Sequence, residues 1–134
     1  MIGAVIITHG PLAASLLETA ELIVGRVEKV RALAVGKEET SEEIKALLTA
    51  AVAEVGEEGA VIFTDMFGGT PTNIALSLLE KDRVEVLTGV NLPMLVKFES
   101  YRRNKPLGEL VTMLVEQGRE SMVLASAMLK AKQE

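Results

Sequence analysis

Ile2-Gly3-Ala4-Val5-Ile6-Ile7-Thr8-His9-Gly10-Pro11 is an apolar run that stops at Thr8-His9 and then turns at a glycine and a proline. The run is too short for an ordinary helix and apolar at successive positions, which is how a strand buried on both faces of a parallel sheet reads. Ala60-Val61-Ile62-Phe63-Thr64-Asp65, followed by Gly68-Gly69-Thr70-Pro71, repeats the design. Val84 to Thr88 repeats it again and ends in Gly89-Val90-Asn91-Leu92-Pro93. His9 is the only histidine in the chain, and it stands at the carboxyl end of the first of these runs.

Helical spacing fills the intervals. Leu12, Leu16, Ala20, Ile23 and Val24 share a face over residues 12–24, and Gly25 closes that helix. Glu28 to Val35 forms a short strand. Thr40-Ser41-Glu42-Glu43 has the form of a capping box with Thr40 as N-cap, leading into Ile44, Leu47, Leu48, Ala51 and Val55. Thr70 as N-cap with Pro71 at N1 starts a helix through Ile74, Ala75, Leu78 and Leu79. A further helix carries Leu95, Val96 and Phe98, Arg102 to Lys105 make a polar turn, and Leu107, Leu110, Val111, Leu114 and Val115 mark a helix ending near Gly118. This alternation predicts an α/β fold, doubly wound, with a mostly parallel sheet and helices on both faces. Residues 121–129 suit either a helical continuation or a last strand, and the strand is the preferred reading.

A chain of 134 residues, 49% of them apolar and without a linker-like stretch, is expected to form one domain over residues 1–134. Three Phe, one Tyr and no Trp offer no platform for stacking bases, and a net charge of -5 repels phosphate backbones, so nucleic acid is not an expected partner. Without cysteine, and with one histidine, there are no disulfides, no thiol nucleophile and no evident metal ligand set; no metal or other cofactor is expected. The apolar start lacks a basic flank, and no run approaches the roughly 20 apolar residues of a membrane span. A cytoplasmic protein is expected.

In a doubly wound sheet the loops after the three apolar strands emerge along one carboxyl edge, where such folds gather ligands. His9 and Asp65 then become neighbours. A neutral imidazole attacks phosphorus through one nitrogen only if the other holds the proton, and a carboxylate accepting that N–H orients the ring and stabilises the cation that forms. Gly68, Gly69 and Thr70 offer close backbone approach, amide donors and a hydroxyl to an anion, and Gly10 opens a second turn beside His9. Each feature has a plainer reading as well. A histidine after a strand is often structural, Gly-Gly-Thr-Pro is often an ordinary turn, and Asp65 and Asn91 are both potential caps. Their placement on equivalent loops of three strands is what favours chemistry. Glu38-Glu39, Glu42-Glu43 and Arg102-Arg103 read as solvated charges, and Met113, Met122 and Met128 as core fillers.

At these residues the chain resembles the mannose-type enzyme IIA domain of the bacterial phosphoenolpyruvate-dependent sugar phosphotransferase system. The likeness rests on Ile6-Ile7-Thr8-His9-Gly10, on Asp65-Met66-Phe67-Gly68-Gly69-Thr70-Pro71-Thr72-Asn73 and on Gly89-Val90-Asn91-Leu92-Pro93-Met94-Leu95. It implies that His9 accepts a phosphoryl group from phospho-HPr and passes it to a histidine of a IIB protein, here a separate polypeptide. By position, Asp65 would orient the imidazole, while Gly10, Gly68, Gly69 and Thr70 would hold the phosphoryl group. Met66, Phe67, Asn91 and Met94 would serve partner docking, with Phe67 standing where familiar relatives have Trp. The resemblance further implies a homodimer that exchanges an antiparallel C-terminal edge strand, and contact with a membrane only through transporter subunits. Three other readings compete: a regulatory phosphohistidine module not coupled to transport, a phosphocarrier for dihydroxyacetone kinase, and a flavodoxin-like binder of a nucleotide or flavin phosphate. The scarcity of aromatics and the lack of a glycine-rich phosphate loop after the first strand weigh against the last.

Overall fold

A computed structural model describes residues 1–133. Its elements in chain order are β1 (Gly3–His9), α1 (Leu12–Val24), β2 (Val30–Val35), α2 (Ser41–Val55), β3 (Ala60–Thr64), α3 (Thr70–Leu76), β4 (Val84–Thr88), α4 (Leu92–Tyr101), α5 (Leu107–Glu120) and α6 (Ala125–Gln133). All four strands are parallel, in the order β2-β1-β3-β4. The chain therefore steps one way from β1 to β2 and the other way to β3 and β4. The ends of β1 and β3 flank the point where the winding reverses.

The unbroken apolar runs exist because β1 and β3 are covered twice. Ala4, Ile6, Val61 and Phe63 face a core built with Phe98, Leu110 and Leu114, whereas Val5, Ile7 and Ile62 face one built with Ile44, Leu48, Val55 and Ala75. Alternate residues of a strand point to opposite faces, so a polar residue in either series would lie in one of the two cores. Phe63 meets Phe98 edge to face, with centroids 5.6 Å apart, and truncating such a buried ring to Ala costs about 3–5 kcal/mol. At Gly3 an added Cβ would fall 2.1 Å from the Val55 carbonyl oxygen, so glycine is what lets the end of α2 lie against β1.

Several expectations need correction. In α1 the stripe facing the sheet is Ala13, Leu16, Leu17 and Ala20, while Leu12 and Ile23 are 44% and 57% exposed. Small alanines bring this helix close to the sheet, a preference that counting large apolar residues does not register. Leu47 of α2 is likewise exposed. Thr40 does cap α2, accepting from the Glu43 N–H at 3.1 Å, but the N-cap of α3 is Gly69, with Thr70 already in the helix. Arg102 is not solvated. Its guanidinium is buried over the Phe98 ring at 5.1 Å and lies 3.0 Å from Glu99, close but not aligned as a hydrogen bond. Burial pulls its pKa down, with Glu99 opposing.

The largest correction concerns residues 121–129, expected as a strand. Ala125–Gln133 is helical and pairs with no strand. Ala125, Ala127, Met128, Leu129, Lys130 and Ala131 are good helix formers, and in the single chain a helix pairs the segment's backbone within itself. No helix among the described residues is long and apolar enough to cross a membrane.

Candidate functional site

Ile7 lies opposite Thr64 in the β1–β3 register, so Asp65 leaves β3 alongside Thr8 and His9, which still pair with Ala34 and Val35 of β2. Thr8, fully buried, accepts the Ala13 N–H at 2.8 Å and closes the turn into α1. Gly10 makes that turn with φ +59°, a conformation that residues with a Cβ rarely adopt.

Asp65 Oδ2 accepts twice from one residue: from the His9 backbone N–H at 2.9 Å and from Nδ1 of its ring at 2.7 Å. Its other oxygen, Oδ1, accepts the Met66 N–H at 3.0 Å. Desolvation alone would raise the carboxyl pKa, but the backbone and ring hydrogen bonds from His9, together with its charge, outweigh burial and hold Asp65 below the ordinary carboxylate range. An ionised carboxylate only accepts, so Nδ1 carries a proton, and in the neutral form of the ring the lone pair is on Nε2. The His9 side chain is 50% exposed and that of Asp65 only 13%, so the carboxylate is mostly enclosed while half of the imidazole side chain is open to solvent.

Gly69 closes the other side of the ring. A Cβ there would come 2.8 Å from Cε1 and 3.4 Å from Nε2 of His9, so the backbone of this loop passes directly beside the free nitrogen. The N–H groups of Gly68, Gly69 and Thr70 donate to no protein acceptor among the described residues. Gly10 differs, because its N–H is bound to the Val35 carbonyl at 3.0 Å and is not available to an anion.

The structure divides the expected docking residues. Met66 and Phe67 are exposed at 56% and 75% on the loop that carries Asp65. Met94 is 3% exposed and belongs to the core. Asn91 caps α4, accepting the Met94 N–H at 3.1 Å, and donates to the Gly118 carbonyl at 3.2 Å. Asn91 and Met94 thus hold α4 to α5, and the capping alternative for Asn91 is the one the structure supports. The sequence reading overlooked Thr64 and Thr72, whose buried hydroxyls lie 2.6 Å apart beneath the Asp65 loop. A threonine at the end of β3 and another at the third position of α3 were the available signal.

The family model EIIA-man, described as the PTS system fructose IIA component, matches residues 3–115. The chain is 32% identical over 132 residues to the PTS system fructose-specific EIIA component of Bacillus subtilis (strain 168), covering 97% of this chain and 90% of that protein. It is 38% identical over 124 residues to the PTS system mannose-specific EIIAB component of Escherichia coli (strain K12), covering 90% of this chain. It spans only 38% of the length of that relative. A solved phosphotransferase system component EIIA from Streptococcus agalactiae superposes with a TM-score of 0.87 at 27% identity, covering 95% of this chain and 99% of the other. The PTS IIA protein associated with the fucose utilization operon of Streptococcus pneumoniae gives 0.85 at 31%, with 95% of each chain covered. The chain belongs to the EIIA-man family of phosphotransferase-system IIA components.

Proposed function

We propose that His9 is a phosphoryl relay, loaded by the phosphohistidine of HPr and unloaded onto a histidine of a IIB protein or domain on the cytoplasmic side. The observation that carries this reading is the Nδ1 to Asp65 Oδ2 bond of 2.7 Å on a ring that is half exposed. In the loading step the Nε2 lone pair forms the new P–N bond as the donor's P–N bond breaks and its electron pair returns to the donor imidazole. Nδ1 keeps its proton, and Asp65 offsets the charge the ring acquires. The free amides of Gly68, Gly69 and Thr70 supply donors to the phosphoryl oxygens, and the Thr70 hydroxyl adds another. No acid or base is required in line, so positioning and anion stabilisation do the catalytic work.

Exposed Met66 and Phe67, on the loop that carries Asp65, offer apolar contact to donor and acceptor in turn. The chain pairs with a second copy through the free outer edge of β4 and the apolar C-terminal segment. Met122, Val123, Leu124 and Leu129 of that segment are 77%, 52%, 73% and 59% exposed in the single chain. In the pair, that segment takes up the exchanged antiparallel strand, giving up α6.

Incubation with phosphoenolpyruvate, enzyme I and HPr, followed by intact-mass measurement, tests the site. One acid-labile phosphoryl group is expected on the wild type and none on His9→Ala. A wild type that stays unmodified with a competent HPr overturns the relay, and an adduct that persists on His9→Ala overturns the assignment of the residue.

A further inference from the structure

We propose that Thr72 is a positioning residue for the His9–Asp65 pair, acting through the Met66 carbonyl; the proposal rests on the reading of His9 as phosphoryl acceptor. Thr64 and Thr72 are both 0% exposed. Thr72 Oγ1 lies 2.6 Å from the Met66 carbonyl oxygen and 2.6 Å from Thr64 Oγ1. A carbonyl can only accept, so the Thr72 hydroxyl proton points to Met66 and the Thr64 hydroxyl donates to Thr72. The result is a one-way chain of donors running from the end of β3, through α3, to the loop.

The loop needs such an anchor. Met66 and Phe67 are 56% and 75% exposed, and Gly68 has φ +91°, so side-chain packing and backbone stiffness contribute little to its shape. The Met66 backbone is held at both ends instead. Its N–H donates to Asp65 Oδ1 and its carbonyl accepts from Thr72. With Oδ1 engaged on that side, Oδ2 is left facing His9. A valine would fill the Thr72 site equally well and avoid burying a hydroxyl, so the hydroxyl is accounted for by the carbonyl it holds.

The test compares wild type, Thr72→Val, Thr72→Ser and Thr64→Val by three readouts: the His9 tautomer from 15N NMR, the Asp65 titration from 13C NMR, and the rate of phosphorylation by phospho-HPr. In Thr72→Val the proton on Nδ1 is expected to redistribute toward Nε2, and Asp65 to titrate at higher pH. Phosphorylation slows about five- to tenfold, the size expected from one lost buried hydrogen bond. Thr72→Ser restores all three. Thr64→Val, which removes only the outer donor, shifts them in the same direction by less, and it carries the comparison if Thr72→Val does not fold. Lower thermal stability with the tautomer and the Asp65 titration unchanged overturns the proposal. Both NMR readouts work without HPr, so shifted tautomers on a chain that takes up no phosphoryl group refute the relay alone. A wild type protonated on Nε2 refutes the orienting role of Asp65 and the proposal with it.

Discussion

Gly69→Ala separates the chemistry of the site from the stability of the fold. Gly69 has φ -95° and ψ 172°, extended backbone open to alanine, so the substitution introduces no conformational strain. The new methyl would stand 2.8 Å from His9 Cε1, whereas carbon atoms rest about 3.5–4.0 Å apart. The ring must therefore move by about 0.7 Å or more. It can only move outward, away from Asp65, because the carboxylate holds its other side at 2.7 Å. A hydrogen bond stretched by that amount passes the limit of about 3.2 Å for a good one. Charge-assisted bonds contribute about 1.5–3 kcal/mol when buried, and we take about 1 kcal/mol for a ring that is half exposed. Loss of the bond together with a displaced nucleophile slows phosphorylation by about ten- to a hundredfold. Thermal stability is expected to be nearly unchanged, since the gain of about 0.4–1 kcal/mol that alanine brings by reducing the freedom of the unfolded chain offsets the lost bond. Single-turnover phosphorylation by phospho-HPr, beside a melting curve, measures both. A Gly69→Ala protein phosphorylated at the wild-type rate would refute the claim that the loop backbone sets the ring's position.

Asp65 also makes a pH-dependent contribution. Its pKa is depressed in the folded state, so its stabilisation is complete above the ordinary carboxylate value of about 4 and fades as pH falls below that through the folded pKa. Asp65→Asn is expected to flatten this acid limb of stability and to slow phosphorylation by about tenfold or more; an identical acid limb in the variant would contradict the shift. Phe67→Ala should raise KM for phospho-HPr or for IIB with kcat and melting temperature nearly unchanged, and equal KM values for both partners would remove Phe67 from the docking surface. Sedimentation at micromolar concentration should show a particle of twice the chain mass, and a monomer would refute pairing through β4 and the C-terminal segment.

Most of what positions the site was legible because strands covered on both faces announce themselves. Residues 3–8 and 60–64 are apolar almost throughout and are followed by glycine and proline, and their shared carboxyl edge makes neighbours of His9 and Asp65. The period of α1 was equally clear, but its inward stripe was not, since Ala13 and Ala20 are buried for their small size rather than their hydrophobicity. Met94 follows an exposed-looking Asn-Leu-Pro loop, and only the approach of α5, permitted by Gly118, shows that it is enclosed. Residues 125–133 have helix-forming composition alongside apolar residues that suit a strand, and their state depends on whether an edge is offered to them. The Thr64–Thr72 chain left only the two threonines themselves as a signal, because its bonds join positions with no common periodic pattern.

His9 and Asp65 are 56 positions apart, and α1, β2 and α2 are made between them. A chain emerging during synthesis thus carries its histidine long before it carries a competent site, since the carboxylate arrives only when β3 docks against β1. Nonlocal pairing of this kind forms late. It also opens as a unit, because pulling β3 away removes in one event both the anchor on Nδ1 and the glycine backbone beside Nε2. Under the proposed relay, readiness to take up a phosphoryl group is therefore a built-in check that the two central strands are joined.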